Sequence, residues 1–184
     1  MISVNDLRAG ATFEEDGNIF RVLSFEHIKM GRGSANIKVK VKNLRNGATV
    51  EKGYTNGANV ADINLSKRDF QFLYKDSESA YFMDPRTFDQ KTISLKTLSG
   101  SEYLNEGETV NIEFFEDEAL DLLLPPKVTL KVVDTPPGVK GNSASNVYKD
   151  AKLENGMTVR IPLFIDVGDS VVVDTRDGSY TKRG

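Results

Sequence analysis

Alternation with a period of two runs through much of the chain. Residues 18–28, NIFRVLSFEHI, set Ile19, Arg21, Leu23 and Phe25 in one register and Phe20, Val22, Ser24 and Glu26 in the other. Further on, Ile37, Val39 and Val41 alternate with Lys38, Lys40 and Lys42, the pattern of a strand with one buried and one cationic face. Between these runs lies KMGRGSA, whose glycines suit the apex of a hairpin with Arg32 near its tip. More strands are predicted at 49–54, 69–75, 79–83, 109–115, 119–123, 127–134, 146–152, 158–162, 170–174 and 179–182. Turn dipeptides punctuate them: DG at 16–17 and 177–178, NG at 46–47, 56–57 and 155–156. Helical signal is confined to short stretches at 86–88 and 95–98. Many short strands separated by such turns predict an all-β protein made of small barrels.

Composition narrows the class. With 39% apolar and 28% charged residues the chain reads as an ordinary soluble protein, and its apolar runs fall far short of the ~20 residues a membrane helix needs. The N-terminus, MISVNDLRAG, has neither a basic nor an apolar export region, so a cytoplasmic location is expected. Cysteine is absent, which excludes disulfides, thiol nucleophiles and Cys-based zinc sites. His27 is the sole histidine, so a multi-histidine metal centre is excluded, and neither metal nor cofactor is expected.

Charge divides the chain. The net charge of −3 conceals a basic first third and an acidic middle: residues 21–52 carry eight bases against two acids, whereas 65–127 carry seven against thirteen. A local excess of this kind marks a surface able to meet phosphate. The change of sign near 63–66 and the stiff double proline at 125–126 suggest boundaries, giving domains at 1–64, 65–126 and 127–184. The acidic run EFFEDEALD, 113–121, offers paired carboxylates for acid–base or Mg²⁺ chemistry, but reads better as a solvated turn between strands. His27 lacks the second group that a catalytic dyad requires, so no enzyme is expected.

One segment is more specific. In KDAKLENGMTVRIPLFIDVG, Lys149, Ala151, Gly156, Val159, Ile161, Pro162, Ile165 and Gly168 fall where the C-terminal signature of bacterial elongation factor P has its defining residues. The segment resembles that signature, with Ile161 standing for valine. DTPPGVKGNSAS, NLRNGATVEK, FLYKD, YFMD and NDLRAG extend the resemblance over essentially the whole chain. The turn glycines and Pro162 are expected to serve folding.

The resemblance implies an SH3-like (KOW-like) barrel followed by two OB-fold barrels in an L-shaped, tRNA-like arrangement. It implies a monomeric factor that enters the 70S ribosome, touching both subunits, between the P and E sites. There it would position the acceptor end of the P-site peptidyl-tRNA and relieve stalling at consecutive prolines. The family's tip usually reads KPGKGxA with a modified second lysine. Here Lys29, Gly31 and Gly33 match, Met30 replaces proline, and Arg32 takes the place of that lysine. Some family members with arginine there carry rhamnose on it, which makes Arg32 a candidate modification site and a modifying enzyme a candidate partner. Lys38, Lys40, Lys42 and Arg45 are the expected contacts to tRNA or rRNA phosphates. Gly141, Asn142, Ser143, Ala144 and Ser145 match a loop near the small subunit and mRNA, and Tyr180 and Arg183 are further candidates for RNA contact. A paralog of the family and a generic OB-fold RNA-binding protein remain as alternatives.

Overall fold

The structure, a computed structural model, describes residues 1–28, 36–138 and 147–184. Among the described residues, regular structure consists of sixteen strands and two single 3₁₀ turns, Val4–Asp6 and Ser101–Tyr103. The chain is all-β. The two stretches with helical signal, 86–88 and 95–98, are turns instead. Asp84 Oδ1 accepts hydrogen bonds from the Arg86 and Thr87 amides, and Ser94 O accepts from the Thr97 and Leu98 amides. Side-chain and turn bonds of this kind satisfy the backbone without continuing a helix.

The first sheet contains β1 (Ile2–Ser3), β2 (Thr12–Glu15), β3 (Asn18–Ile28), β4 (Asn36–Asn43), β5 (Thr49–Thr55) and β6 (Asn59–Asp62). Their order is β1-β6-β2-β3-β4-β5, antiparallel throughout. The DG dipeptide joins β2 to β3 with positive φ at both Asp16 (51°) and Gly17 (71°), the geometry of a type I′ hairpin. Strict alternation fails once along β3. A bulge between Val22 and Ser24 inserts Leu23, which is exposed, and moves Phe25 onto the core side opposite Val39. Before the bulge, Phe20 and Val22 face the barrel core with Phe13, Ile37, Val39 and Val41, while Ile19 points to the other side.

The second sheet is built from β7 (Ser66–Lys75), β8 (Ser79–Met83), β9 (Gln90–Ser94), β10 (Thr109–Phe115) and β11 (Glu118–Leu123). The third comprises β12 (Lys127–Asp134), β13 (Tyr148–Leu153), β14 (Thr158–Pro162), β15 (Ser170–Asp174) and β16 (Tyr180–Arg183). With strands numbered within each sheet, both have the order 3-2-1-4-5, and the third strand also meets the fifth. That is the OB-fold path. In both sheets the long first strand carries a bulge, between Phe72 and Tyr74 and between Val132 and Asp134. The inserted residue bends the strand so that it can pair on both sides of a curling sheet.

The chain forms two compact units, residues 1–99 with 106–123 and residues 100–105 with 124–184. In the first unit, the first two sheets share a small core of Ile19, Leu44 and Leu120, bordered by Ile63, Leu65 and Phe115. In the second, Leu130, Val132, Leu153, Ile161, Val171 and Val173 close around Tyr103.

Candidate functional site

β3 and β4 are the arms of the hairpin, pairing from Phe20↔Asn43 out to Ile28↔Asn36, and β5 runs beside β4 as far as Thr55. Three strands therefore support the base of the projection. Phe25 lies half-buried at the middle of β3, with the His27 ring edge-on to it at 5.0 Å and the Arg8 guanidinium 5.9 Å from its centroid. His27 is itself exposed, and its ring contact with Phe25 is one of packing. The tip residues Lys29, Met30, Gly31, Arg32 and Gly33 lie outside the described residues, as do Gly141, Asn142, Ser143, Ala144 and Ser145.

Lys38, Lys40 and Lys42 alternate along β4 with the buried Ile37, Val39 and Val41. The cations differ in what they touch. Lys38 bonds Glu51 across the β4–β5 pair at 2.9 Å, and that bond raises its pKa. Lys40 is exposed and, among the described residues, has no carboxylate within 4.0 Å. The Lys42 ammonium donates to Thr97 O at 3.0 Å, to the Ser99 hydroxyl and to Asp121 at 3.2 Å. Arg45 donates to both carboxylate oxygens of Glu118 and to Gly17 O. Lys52 pairs with Glu15 and lies 4.4 Å above the Phe20 ring centroid. Burial first, and the Glu15 carboxylate second, push the neighbouring Tyr54 phenol up.

The acidic run at 113–121 is therefore more than a solvated turn. Only its apex, Glu116–Asp117, turns between strands; Glu113 and Asp121 are buried. Glu113 takes Arg21 and Asp121 takes Lys42, both from the first sheet, and Glu118 takes Arg45 from the turn after β4. Sequence reasoning saw the basic third and the acidic middle but missed their pairing. The charge contrast itself was the only signal, because opposite charges more than 70 residues apart in sequence carry no register that pairs them.

In the third sheet, Lys149 is buried and donates to Pro136 O at 2.8 Å, with Asp166 3.5 Å away. Arg183 pairs with Asp169 at 2.8 Å. Tyr180 packs against the core, and a groove opens between it, Tyr148 and Arg160. Among the described residues no group of three or more His, Asp or Glu side chains is arranged to hold a metal, and no helix is long and apolar enough to cross a membrane.

A small cation-bearing barrel followed by two OB-path barrels defines an all-β protein of the KOW/OB class. Three family profiles cover the chain: the elongation factor P KOW-like domain at residues 3–60, its OB domain at 65–122 and its C-terminal domain at 128–183. The chain belongs to the elongation factor P family and is a translation elongation factor. It is 44% identical over its whole length, and that of the relative, to elongation factor P of Microcystis aeruginosa. It is 46% identical to that of Prochlorococcus marinus strain MIT 9515, covering all of this chain and 99% of the relative. Among solved structures, a eukaryotic translation initiation factor 5A from Methanococcus jannaschii aligns with a TM-score of 0.48 at 20% identity, covering 64% of this chain and 85% of that one.

Proposed function

We propose that this factor binds the ribosome between the P and E sites and holds the acceptor end of peptidyl-tRNA, so that peptide bond formation proceeds at consecutive prolines. The observation that carries the reading is the hairpin. Its paired arms converge, at Ile28↔Asn36, on a seven-residue tip whose sequence sets Arg32 between two glycines. Glycines without Cβ let a backbone approach a crowded RNA surface, and arginine brings a permanent, planar cation with five donors. A side chain of that kind binds phosphate, ribose and base edges without reading sequence. The factor supplies position, and the ribosome makes the bond. Each ~1.4 kcal/mol gained by restricting the acceptor end to attack geometry is tenfold in rate.

Lys40 is the leading phosphate contact on the outer face of β4, with Lys38 beside it. Lys42 and Arg45 would reach RNA only through donors left over from their carboxylates. Residues 141–145 are the proposed approach to the small subunit, and the factor acts as a monomer in the cytoplasm. Arg32 is also the proposed site of a covalent modification, installed by a dedicated enzyme.

Two measurements test the reading. Arg32→Ala should abolish relief of polyproline stalling in a reconstituted translation assay while leaving the melting temperature unchanged; full rescue by the variant sinks the proposal. The intact mass of the protein from its native host should exceed the mass of the bare sequence, and equality removes the modification.

A further inference from the structure

We infer that the third barrel carries a site for an unpaired RNA base, built by Tyr148 and Arg160 on the outer face of β13 and β14. The inference stands apart from the hairpin reading, because no residue of the first unit takes part.

The placement comes from topology. In OB barrels the second and third strands, with the loop between the fourth and fifth, form the face that takes oligonucleotides. Here those strands are β13 and β14, and that loop is the turn at 175–179. A groove of about 590 Å³ lies on this face, lined by Tyr148, Thr158, Arg160, Pro162, Asp177 and Tyr180 among others. Its volume is in the range of small-ligand sites.

The chemistry comes from the pairing of side chains. Tyr148 is 52% exposed, so one face of its ring is open to a stacking partner. The Arg160 guanidinium sits 5.8 Å from its centroid. The other two arginines of this unit are committed to carboxylates, Arg176 to Asp174 and Arg183 to Asp169. Arg160 is exposed, and among the described residues has no carboxylate within 4.0 Å, although Asp150 is its cross-strand neighbour. An open tyrosine and an unpaired planar cation present two adjacent π faces. That combination stacks nucleobases, with the guanidinium left to meet the neighbouring phosphate.

Asp177 gives the groove a direction. Its carboxylate accepts from the Ser179 amide at 3.0 Å and hydroxyl at 2.6 Å, and these bonds hold it below the usual carboxylate range. An anion on that rim repels phosphate and accepts hydrogen bonds from exocyclic amino groups. The sugar–phosphate backbone therefore runs on the Arg160 side, with the base edge toward Asp177. Cytosine and adenine carry the amino group that uracil lacks.

The test is titration of a fluorescein-labelled cytidine hexamer with the full chain at low salt, read by anisotropy. Tyr148→Ala and Arg160→Ala should each weaken binding at least about fivefold, the worth of one stacked base. Tyr148→Phe should retain affinity, and Arg160→Lys, which keeps the charge without the plane, should lose part of it. A stem-loop RNA with the same cytidines paired should bind more weakly. The inference is overturned if both alanine variants, folded by circular dichroism, bind within twofold of the parent. It is equally overturned if Lys131→Ala, on the exposed face of β12, costs as much as they do. Neither result touches the polyproline assay on Arg32→Ala, so the two readings fail separately.

Discussion

The Lys42 ammonium lies 3.2 Å from the Asp121 carboxylate, whose side chain is only 2% exposed. The same carboxylate accepts the Ser99 amide at 2.8 Å, the Ser99 hydroxyl at 3.0 Å and the Leu122 amide at 2.8 Å. A lysine that the sequence sets on a cationic strand face is thus a tie between the first and second sheets. Arg21–Glu113 is a second such tie, and the more exposed Arg45–Glu118 pair a third contact. These pairs, with the apolar cluster of Ile19, Leu44 and Leu120, explain why the two sheets form one compact unit.

Asp121→Ala should be severely destabilising. It strands the partly buried Lys42 ammonium and takes the acceptor from the Ser99 and Leu122 amides, a loss of about 3–5 kcal/mol for one broken pair of this kind. Urea unfolding of the variant checks this. The double change Lys42→Met with Asp121→Leu should recover part of the loss, because replacing both partners removes the orphaned charge and leaves only the Ser99 and Leu122 amides without an acceptor.

The neighbouring lysines should separate cleanly. Lys40→Ala should lower affinity for ribosomes and make the slope of log K against log salt shallower by about one, with the melting temperature unchanged. Lys42→Ala should lower the melting temperature. Filter binding across a salt series, beside calorimetry, distinguishes the two; an unchanged salt slope in the Lys40 variant removes it from the interface.

Asp174 is held down to about 2, first by the Arg176 side chain and then by the Arg176 amide. Its folded-state pKa lies below the unfolded value, so its contribution is present above pH ~4 and is lost as pH falls toward 2. Arg176→Ala should therefore lower the melting temperature at pH 6, and the difference from the parent should shrink on acidification through that window. A difference that stays constant from pH 6 to 2 contradicts the linkage.

Two identical dipeptides should respond differently to the same change. Gly47 and Gly57 each follow an asparagine and have φ of 77° and 84°. A Cβ on Gly57 meets open space, so Gly57→Ala should cost only backbone strain, about 1–2 kcal/mol. A Cβ on Gly47 would stand 2.2 Å from the Lys96 carbonyl oxygen, and backbone cannot swing aside as a side-chain end can. Gly47→Ala should cost clearly more, measured by the same denaturant titration.

Much of the architecture was legible. Lys127–Asp134 and Thr158–Pro162 stand as strands where alternation and turn dipeptides set them, because burial of one sheet face imposes a period of two on the chain. The bulge at Leu23 was not legible, since an inserted residue changes parity without leaving a compositional mark. Nor were the brief strands Ile2–Ser3 and Asn59–Asp62, which pair with each other and have too few residues to show a period. The Tyr148–Arg160 groove was missed because its parts come from three strands and a turn that only the sheet order brings together.

The sequence by itself determined most of the strands, the turn dipeptides and the family, since each depends on neighbours along the chain or on residue identities in series. It also determined that a basic first third precedes an acidic middle. Only the tertiary structure decided where those charges are spent. Whether a lysine stays open to solvent, as at position 40, or is fastened, as at 42, depends on whether a carboxylate from another sheet arrives beside it. Coulomb attraction acts through space at a few ångströms, and the order of residues does not record it.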